Sequence, residues 1–268
     1  MQALRHFLLA VQFFTRIPIT GRLADWVGFS PAMLRASSAH FPGVGWIVAA
    51  AATASYGALA LLLAPSPWAS AVAAVGCTVV TVLLTGGFHE DGLADVADGL
   101  GGSADTERAL DIMKDSRIGA YGTLALVLAL LAKVVLLALL GSYSLAAALT
   151  ALAGAHVLSR LWPLCIVRSL PHVGDTARSK SKPLADQISP GALAAAVLWC
   201  FPALALVQQA PAALFLGAGV VASMVAAWRM QRLFARRLGG FTGDCLGATQ
   251  QVGEIAFYLG AALTLGAL

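Results

Sequence analysis

Seven stretches of this sequence are long and apolar enough to cross a lipid bilayer, and no other feature constrains the fold as strongly. They lie at about 43–64, 67–87, 119–141, 143–167, 190–208, 211–228 and 250–268. A helix needs about 20 apolar residues to traverse the hydrocarbon core. In lipid each segment must satisfy its own backbone hydrogen bonds, which favours helices. Residues 1–16 form a shorter apolar stretch, either an interfacial helix or one packed into the bundle. Charged residues are only 11% of the chain, against about 25% in soluble domains. Too few polar side chains remain to coat a water-exposed surface, and disordered or disulfide-scaffold classes are excluded on the same grounds. The expected fold is all-α and polytopic. A single membrane domain over residues 1–268 holds about seven transmembrane helices, an N-terminal apolar or interfacial helix, and cytoplasmic acidic helical loops.

The connections between the stretches are of two kinds. Pro65-Ser66, Gly141-Ser142 and Gln208-Gln209-Ala210 are tight and uncharged, whereas the segments around 17–42, 88–118, 168–189 and 229–249 hold nearly every charge. Alternation along seven spans puts the long connections and the N-terminus on one face. Fifteen of the seventeen basic residues then lie on that face, Lys133 and Arg160 being inside spans. The positive-inside rule makes it the cytoplasmic face, in a bacterial inner membrane. The net charge of +4 is therefore a topology signal, and no basic patch interleaved with aromatics points to nucleic acid. Cys77, Cys165 and Cys200 lie in apolar runs and Cys245 in a polar loop, without zinc-ligand or CxxC spacing, so they read as small buried hydrophobes. The apolar N-terminal stretch runs into Phe13-Phe14-Thr15-Arg16-Ile17-Pro18, without the small-residue cleavage site of a signal peptide.

Eight of the thirteen carboxylates fall between Glu90 and Asp115. Asp91, Asp95 and Asp98 are spaced i, i+4, i+7, which stacks them on one helical face, and Glu107, Asp111 and Asp115 form a second block. Like charges at i, i+4 destabilise a helix, so a compensating positive charge is expected. Hard oxygen ligands in two facing blocks suit Mg²⁺ held by a few carboxylates plus substrate phosphates. Arg108, Lys114 and Arg117 stand within the second block, where they would clamp phosphate oxygens. The plain alternative is a solvated acidic loop neutralised by its own basic neighbours.

The run His89-Glu90-Asp91-Gly92-Leu93-Ala94-Asp95-Val96-Ala97-Asp98-Gly99, followed by Ile112-Met113-Lys114-Asp115-Ser116-Arg117-Ile118-Gly119, closely resembles the signature of the cobalamin synthase (adenosylcobinamide-GDP ribazoletransferase) family. Phe14-Thr15-Arg16-Ile17-Pro18, Phe41-Pro42-Gly43-Val44-Gly45 and the stretch Leu238–Ala248 with Glu254 extend the resemblance along the chain. It implies a Mg²⁺-dependent enzyme of coenzyme B12 nucleotide-loop assembly. Such an enzyme joins α-ribazole or its 5′-phosphate to adenosylcobinamide-GDP with release of GMP, beside other nucleotide-loop enzymes. On this basis Asp91, Asp95, Asp98 and Asp115 are expected to bind metal, with Glu107 and Asp111 as weaker candidates. His89 or a non-ligating carboxylate would accept the hydroxyl proton, placing His89 with Asp91 as catalytic candidates. Arg117, Lys114, Arg108 and Arg16 would meet the pyrophosphate, and Asp244 would complete the metal site or bind a ribose.

Lys133, Arg160 and Glu254 lie within spans, where isolated charges are costly. They are expected to pair inside the bundle or to touch substrate. His40, His156 and His172 are not grouped at ligand spacing and read as structural. Two other function classes compete. A divalent-cation transporter would place carboxylates deep within spans, where only Glu254 falls, and shallowly. A CDP-alcohol phosphotransferase also carries paired aspartates, as in Asp95-x-x-Asp98-Gly99, but its Ala-Arg pair is replaced here by Leu100-Gly101-Gly102-Ser103.

Overall fold

The computed structural model describes residues 1–174, 188–204 and 210–267. The described chain is helical, apart from an isolated bridge between His172 and Phe241. Near the N-terminus come α1 (Gln2–Phe14), α2 (Gly21–Val27) and α3 (Pro31–Ser37), and a 3₁₀ turn then leads into α4 (Phe41–Leu62). After α5 (Ala69–Thr85) come α6 (Phe88–Gly102), α7 (Thr106–Met113), α8 (Ala120–Tyr143), α9 (Leu145–Leu158) and α10 (Trp162–Ser169). The last four are α11 (Pro190–Leu198), α12 (Phe201–Leu204), α13 (Ala210–Arg237) and α14 (Gly243–Ala262).

Among the described residues four segments are long and apolar enough to cross a membrane: 31–62, 120–143, 145–169 and 213–237. A fifth span exists if α5 and α6 are counted as one, but these two helices meet at 89°. The expected seven spans differ from this for physical reasons. The 67–87 stretch stops as a helix at Thr85, because Gly86 and Gly87 both adopt positive φ (70° and 69°) and turn the chain away. Only glycine takes that conformation without steric cost. The 250–268 stretch belongs to a helix that starts earlier, at Gly243, and buries Gln250, Gln251 and Glu254. The 190–208 stretch divides into α11 and α12, and residues 205–209, including most of the expected Gln208-Gln209-Ala210 turn, lie outside the described residues. So does 175–187, most of the expected 168–189 connection.

The outer surface is apolar. On α8 Leu124, Val127, Leu128, Leu131, Val135 and Leu139 form an exposed stripe at i, i+3, i+4 spacing, and Val72, Val75, Val79 and Leu83 do the same on α5. A water-soluble helix turns such a stripe inward; here it faces where lipid tails would lie. α14 occupies the middle, packed against α6, α8, α9, α10 and α13. Being surrounded by protein, it can carry polar residues that a lipid-facing helix could not.

Candidate active site

The right-angle turn at Gly86-Gly87 lays α6 across the end of the bundle and opens a cleft of about 730 Å³. Arg16 enters it from the end of α1, and Glu90, Asp91 and Asp95 from α6. Arg16 is fixed by its backbone N–H, which donates to the Leu84 carbonyl at 2.7 Å, and its side chain lies over Gly86. Asp244 joins the same group of charges. Gly92 brings α6 against the start of α14, and Asp244 and Asp91 each raise the Asp95 carboxyl electrostatically. Burial first, then Asp244, Asp91 and Asp98, push Asp95 up to about 7. Asp244 is likewise raised, mainly by burial and further by Asp91. Carboxylates that repel one another in this way are arranged to receive a positive charge.

The other expected ligands have acceptors already in use. Asp98 is buried, and its two oxygens accept from the backbone N–H groups of Gly119 (2.7 Å) and Gly122 (2.8 Å). It thus caps the first turn of α8 from a neighbouring helix, satisfying donors that would otherwise lack intrahelical partners. Asp115 accepts from the Arg117 backbone and from its guanidinium, with Nη2 at 2.6 Å. That pairing lowers the Asp115 carboxyl to about 2. Arg117 is 87% exposed, and neither of the two lines the cleft. Lys114 makes a 3.6 Å surface contact with Asp111, and Arg108 and Glu107 are exposed on α7. The two acidic blocks do not face one another. α7 is amphipathic and turns Ala109 and Met113 toward α6, with Met113 against Gly99, leaving its charges outward.

His89 also points elsewhere. It is 2% exposed, stacks on Phe41 at 5.8 Å and lines a small apolar pocket behind the cleft. Its Nε2 has no hydrogen-bond partner among the described residues.

Behind Glu90 runs a polar network through the bundle interior. Gln251 Nε2 donates to Glu90 Oε1 (3.0 Å) and to Gln250 Oε1 (3.0 Å), and Gln250 Nε2 donates to Glu254 Oε2 (2.7 Å). Glu254 Oε1 pairs with Lys133 Nζ at 2.6 Å and accepts from the Tyr258 hydroxyl at 3.1 Å. Arg160, 2% exposed, donates to the His156 carbonyl at 2.6 Å and lies over the Phe41 ring. Lys133 and Glu254 thus form the intramembrane pair allowed for by the sequence. Gln250 and Gln251 were not singled out there, although two adjacent amides in an apolar run are a signal of interior hydrogen bonding. Arg237 was missed too. It donates to the carbonyls of Leu100 (3.1 Å) and Ser103 (2.6 Å), closing the C-terminal end of α6.

Among the described residues no three His, Cys, Asp or Glu side chains stand close enough to hold a metal ion by themselves. Asp91, Asp95 and Asp244 nevertheless supply hard, mutually repelling oxygen donors, the chemistry of a Mg²⁺ site completed by substrate phosphate oxygens.

A family model described as cobalamin-5-phosphate synthase matches residues 6–262. The adenosylcobinamide-GDP ribazoletransferase of Polaromonas naphthalenivorans (strain CJ2) is 61% identical, covering 99% of this chain and 100% of its own length. The proteins of that name from Leptothrix cholodnii and Vibrio cholerae serotype O1 (strain ATCC 39541) are 46% and 41% identical, over 96% and 94% of this chain and 94% and 91% of their own lengths. No solved structure matches the chain.

Proposed function

The chain belongs to the cobalamin-5-phosphate synthase family, and from that premise we propose that it transfers the cobinamide-phosphate moiety of adenosylcobinamide-GDP to α-ribazole or its 5′-phosphate, releasing GMP. A ribazole hydroxyl forms the new bond to the phosphorus next to cobinamide as the bond from that phosphorus to the GMP oxygen breaks. The hydroxyl proton passes to a base or to water. The observation that carries this reading is the cleft of Arg16, Asp91 and Asp95 with Asp244 beside it.

In this reading Asp91, Asp95 and Asp244 would hold Mg²⁺, which when bound neutralises pyrophosphate charge and that of the departing GMP. Arg16 binds a phosphate oxygen at the opposite wall. Asp98 positions the site by capping α8, and Gln251 holds Glu90 in the cleft wall. Arg117 and Lys114 lie at the surface loop next to Ser116 and Ile118, which line the cleft. Their contact with the donor requires Arg117 to exchange Asp115 for phosphate. A cation-transport reading fits less well, because the one carboxylate of the interior pair, Glu254, is already neutralised by Lys133.

The bilayer arrangement is part of the proposal. α5 and α14, of 17 and 20 residues, extend roughly 26 and 30 Å and would cross with the four long segments and α11–α12, giving seven passes. The cleft then faces the cytoplasm of a bacterial inner membrane. In a variant whose four native cysteines are replaced, a cysteine at Ser66 or Ser142 should be labelled from the periplasmic side only. The activity is tested with purified protein in lipid, given adenosylcobinamide-GDP and α-ribazole with and without Mg²⁺. GMP release that requires both substrates and the metal is expected. Release without ribazole, or none under any condition, would refute the assignment.

A further inference from the structure

A second cavity, of about 1180 Å³, lies at the opposite end of α1 from the acidic cleft. His6 lines it from the first half of α1, whereas Gln12 and Phe13 line the cleft from the last turn. At 1.5 Å per residue, His6 and Gln12 are roughly 9 Å apart along the helix axis. The two openings are therefore neighbours but separate sites.

Their charges are opposite. The ionisable lining of the second cavity is basic: the charged Arg35 and Arg168 stand beside the imidazoles of His6, His40 and His172, with no carboxylate among its described lining residues. Arg35 and Arg168 are exposed, and neither guanidinium has a carboxylate or hydrogen-bond acceptor among the described residues. Each guanidinium therefore offers its full fork of donors. His40 Nδ1 accepts from Trp199 Nε1 at 3.1 Å, which leaves the ring proton on Nε2. The rest of the wall is largely small and apolar, built from alanines of α3 and α11. A concave, mostly apolar space with a few converging donors is the usual form of a small-molecule site. Forked guanidinium donors without an acidic neighbour match phosphate geometry and charge.

We propose that this cavity binds a phosphate ester through Arg35 and Arg168, independently of the carboxylates in the cleft. Two sources carry that group: a soluble nucleoside monophosphate, and the headgroup of an anionic phospholipid in the adjoining leaflet. The inference goes beyond the transfer reaction and does not depend on it.

The test uses the full chain in phosphatidylcholine nanodiscs without divalent ions. GMP binding is measured by equilibrium dialysis, and retention of added phosphatidylglycerol by native mass spectrometry. The Arg35→Ala/Arg168→Ala double variant should weaken at least one of the two by about tenfold or more, the effect of removing hydrogen bonds to a charged group. Arg22→Ala, outside both cavities, should leave binding unchanged. Loss confined to GMP assigns the soluble ligand, and loss confined to phosphatidylglycerol assigns the lipid. Melting temperatures are compared in parallel, and Arg35→Gln/Arg168→Gln replaces the double variant if that one unfolds. Wild-type behaviour of the double variant with both probes overturns the proposal. So does failure of the wild type to bind either probe, or an equal loss of binding in Arg22→Ala.

Discussion

Gly92 sits directly against the backbone of Asp244: a Cβ built on Gly92 would lie 2.8 Å from the Asp244 carbonyl oxygen and 3.0 Å from its Cα. Asp91 and Asp95 flank that glycine in sequence. The absence of one side chain thus allows carboxylates from α6 and from the start of α14 to share a cleft.

Gly92→Ala should therefore force the two helices apart. The obstacle is backbone, which cannot rotate away as a side-chain tip could, and overpacking of this kind costs about 1–3 kcal/mol. GMP release should fall further than the melting temperature alone explains, because Asp244 moves relative to Asp91. Gly191→Ala is the control, since nothing lies within 4 Å of its Cβ position. Equal behaviour of the two variants would show that the close contact is unimportant.

Asp91→Asn and Asp98→Asn should fail in different ways. Asp91 is exposed in the cleft and its side chain has no hydrogen-bond or ion-pair partner among the described residues, so neutralising it should leave stability intact. Turnover should drop on the order of 100-fold as metal and phosphate lose alignment. Asp98 caps α8, and losing its charge should cost about 0.5–2 kcal/mol while the Mg²⁺ requirement is unchanged. Paired thermal unfolding and GMP-release assays across a Mg²⁺ titration separate the two roles. An altered Mg²⁺ requirement in Asp98→Asn would return Asp98 to the metal site.

Asp95→Asn should raise the melting temperature of protein stripped of divalent ions at pH 8. The carboxyl, pushed up to about 7 by burial and by Asp244, Asp91 and Asp98, is charged at that pH against the repulsion of its neighbours. Mg²⁺ should stabilise the wild type and have a smaller effect on the variant. A melting temperature lowered by the substitution in metal-free protein would mean that Asp95 makes a favourable contact instead.

Glu254→Gln should be the most destabilising single change inside the bundle. Lys133, His156, Gln250 and Tyr258 all contact this carboxylate. Removing one partner of a buried pair costs about 3–5 kcal/mol. Lys133→Met should cost less, because Glu254 keeps its other donors. Thermal unfolding in lipid nanodiscs ranks the two, and the reverse order would mean that Lys133 dominates the network.

What could be read from the sequence was whatever depends on local pattern. Apolar length gave the helical membrane class, the acidic block from Asp91 located the cleft wall, and Glu254 stood out as a candidate interior partner for Lys133 or Arg160, of which the structure pairs it with Lys133. What could not be read depends on direction. The i, i+4, i+7 spacing puts Asp98 on a face with Asp91 and Asp95, but nothing in it shows that α8 begins at that aspartate and takes up both its oxygens. The Asp111 and Asp115 spacing likewise does not show that Ala109 and Met113 claim the inner face of α7 and leave the acids outside. Gly86-Gly87 was visible as a pair, yet the 89° turn that ends α5 follows from two positive φ angles in succession, which composition does not announce.

The Lys133–Glu254 pair also bears on how the protein is made. A ribosome delivers α8, with Lys133, before it delivers α14. In the interval Lys133 sits in a half-built bundle without the carboxylate that neutralises it, a costly arrangement in lipid. Gln250, Gln251 and Glu254 in turn make α14 a weak substrate for insertion by itself. Each half thus supplies what the other lacks, so the C-terminal helix enters a bundle that already waits for its charge. A nascent chain arrested before Glu254 would leave Lys133 inside the membrane without its carboxylate.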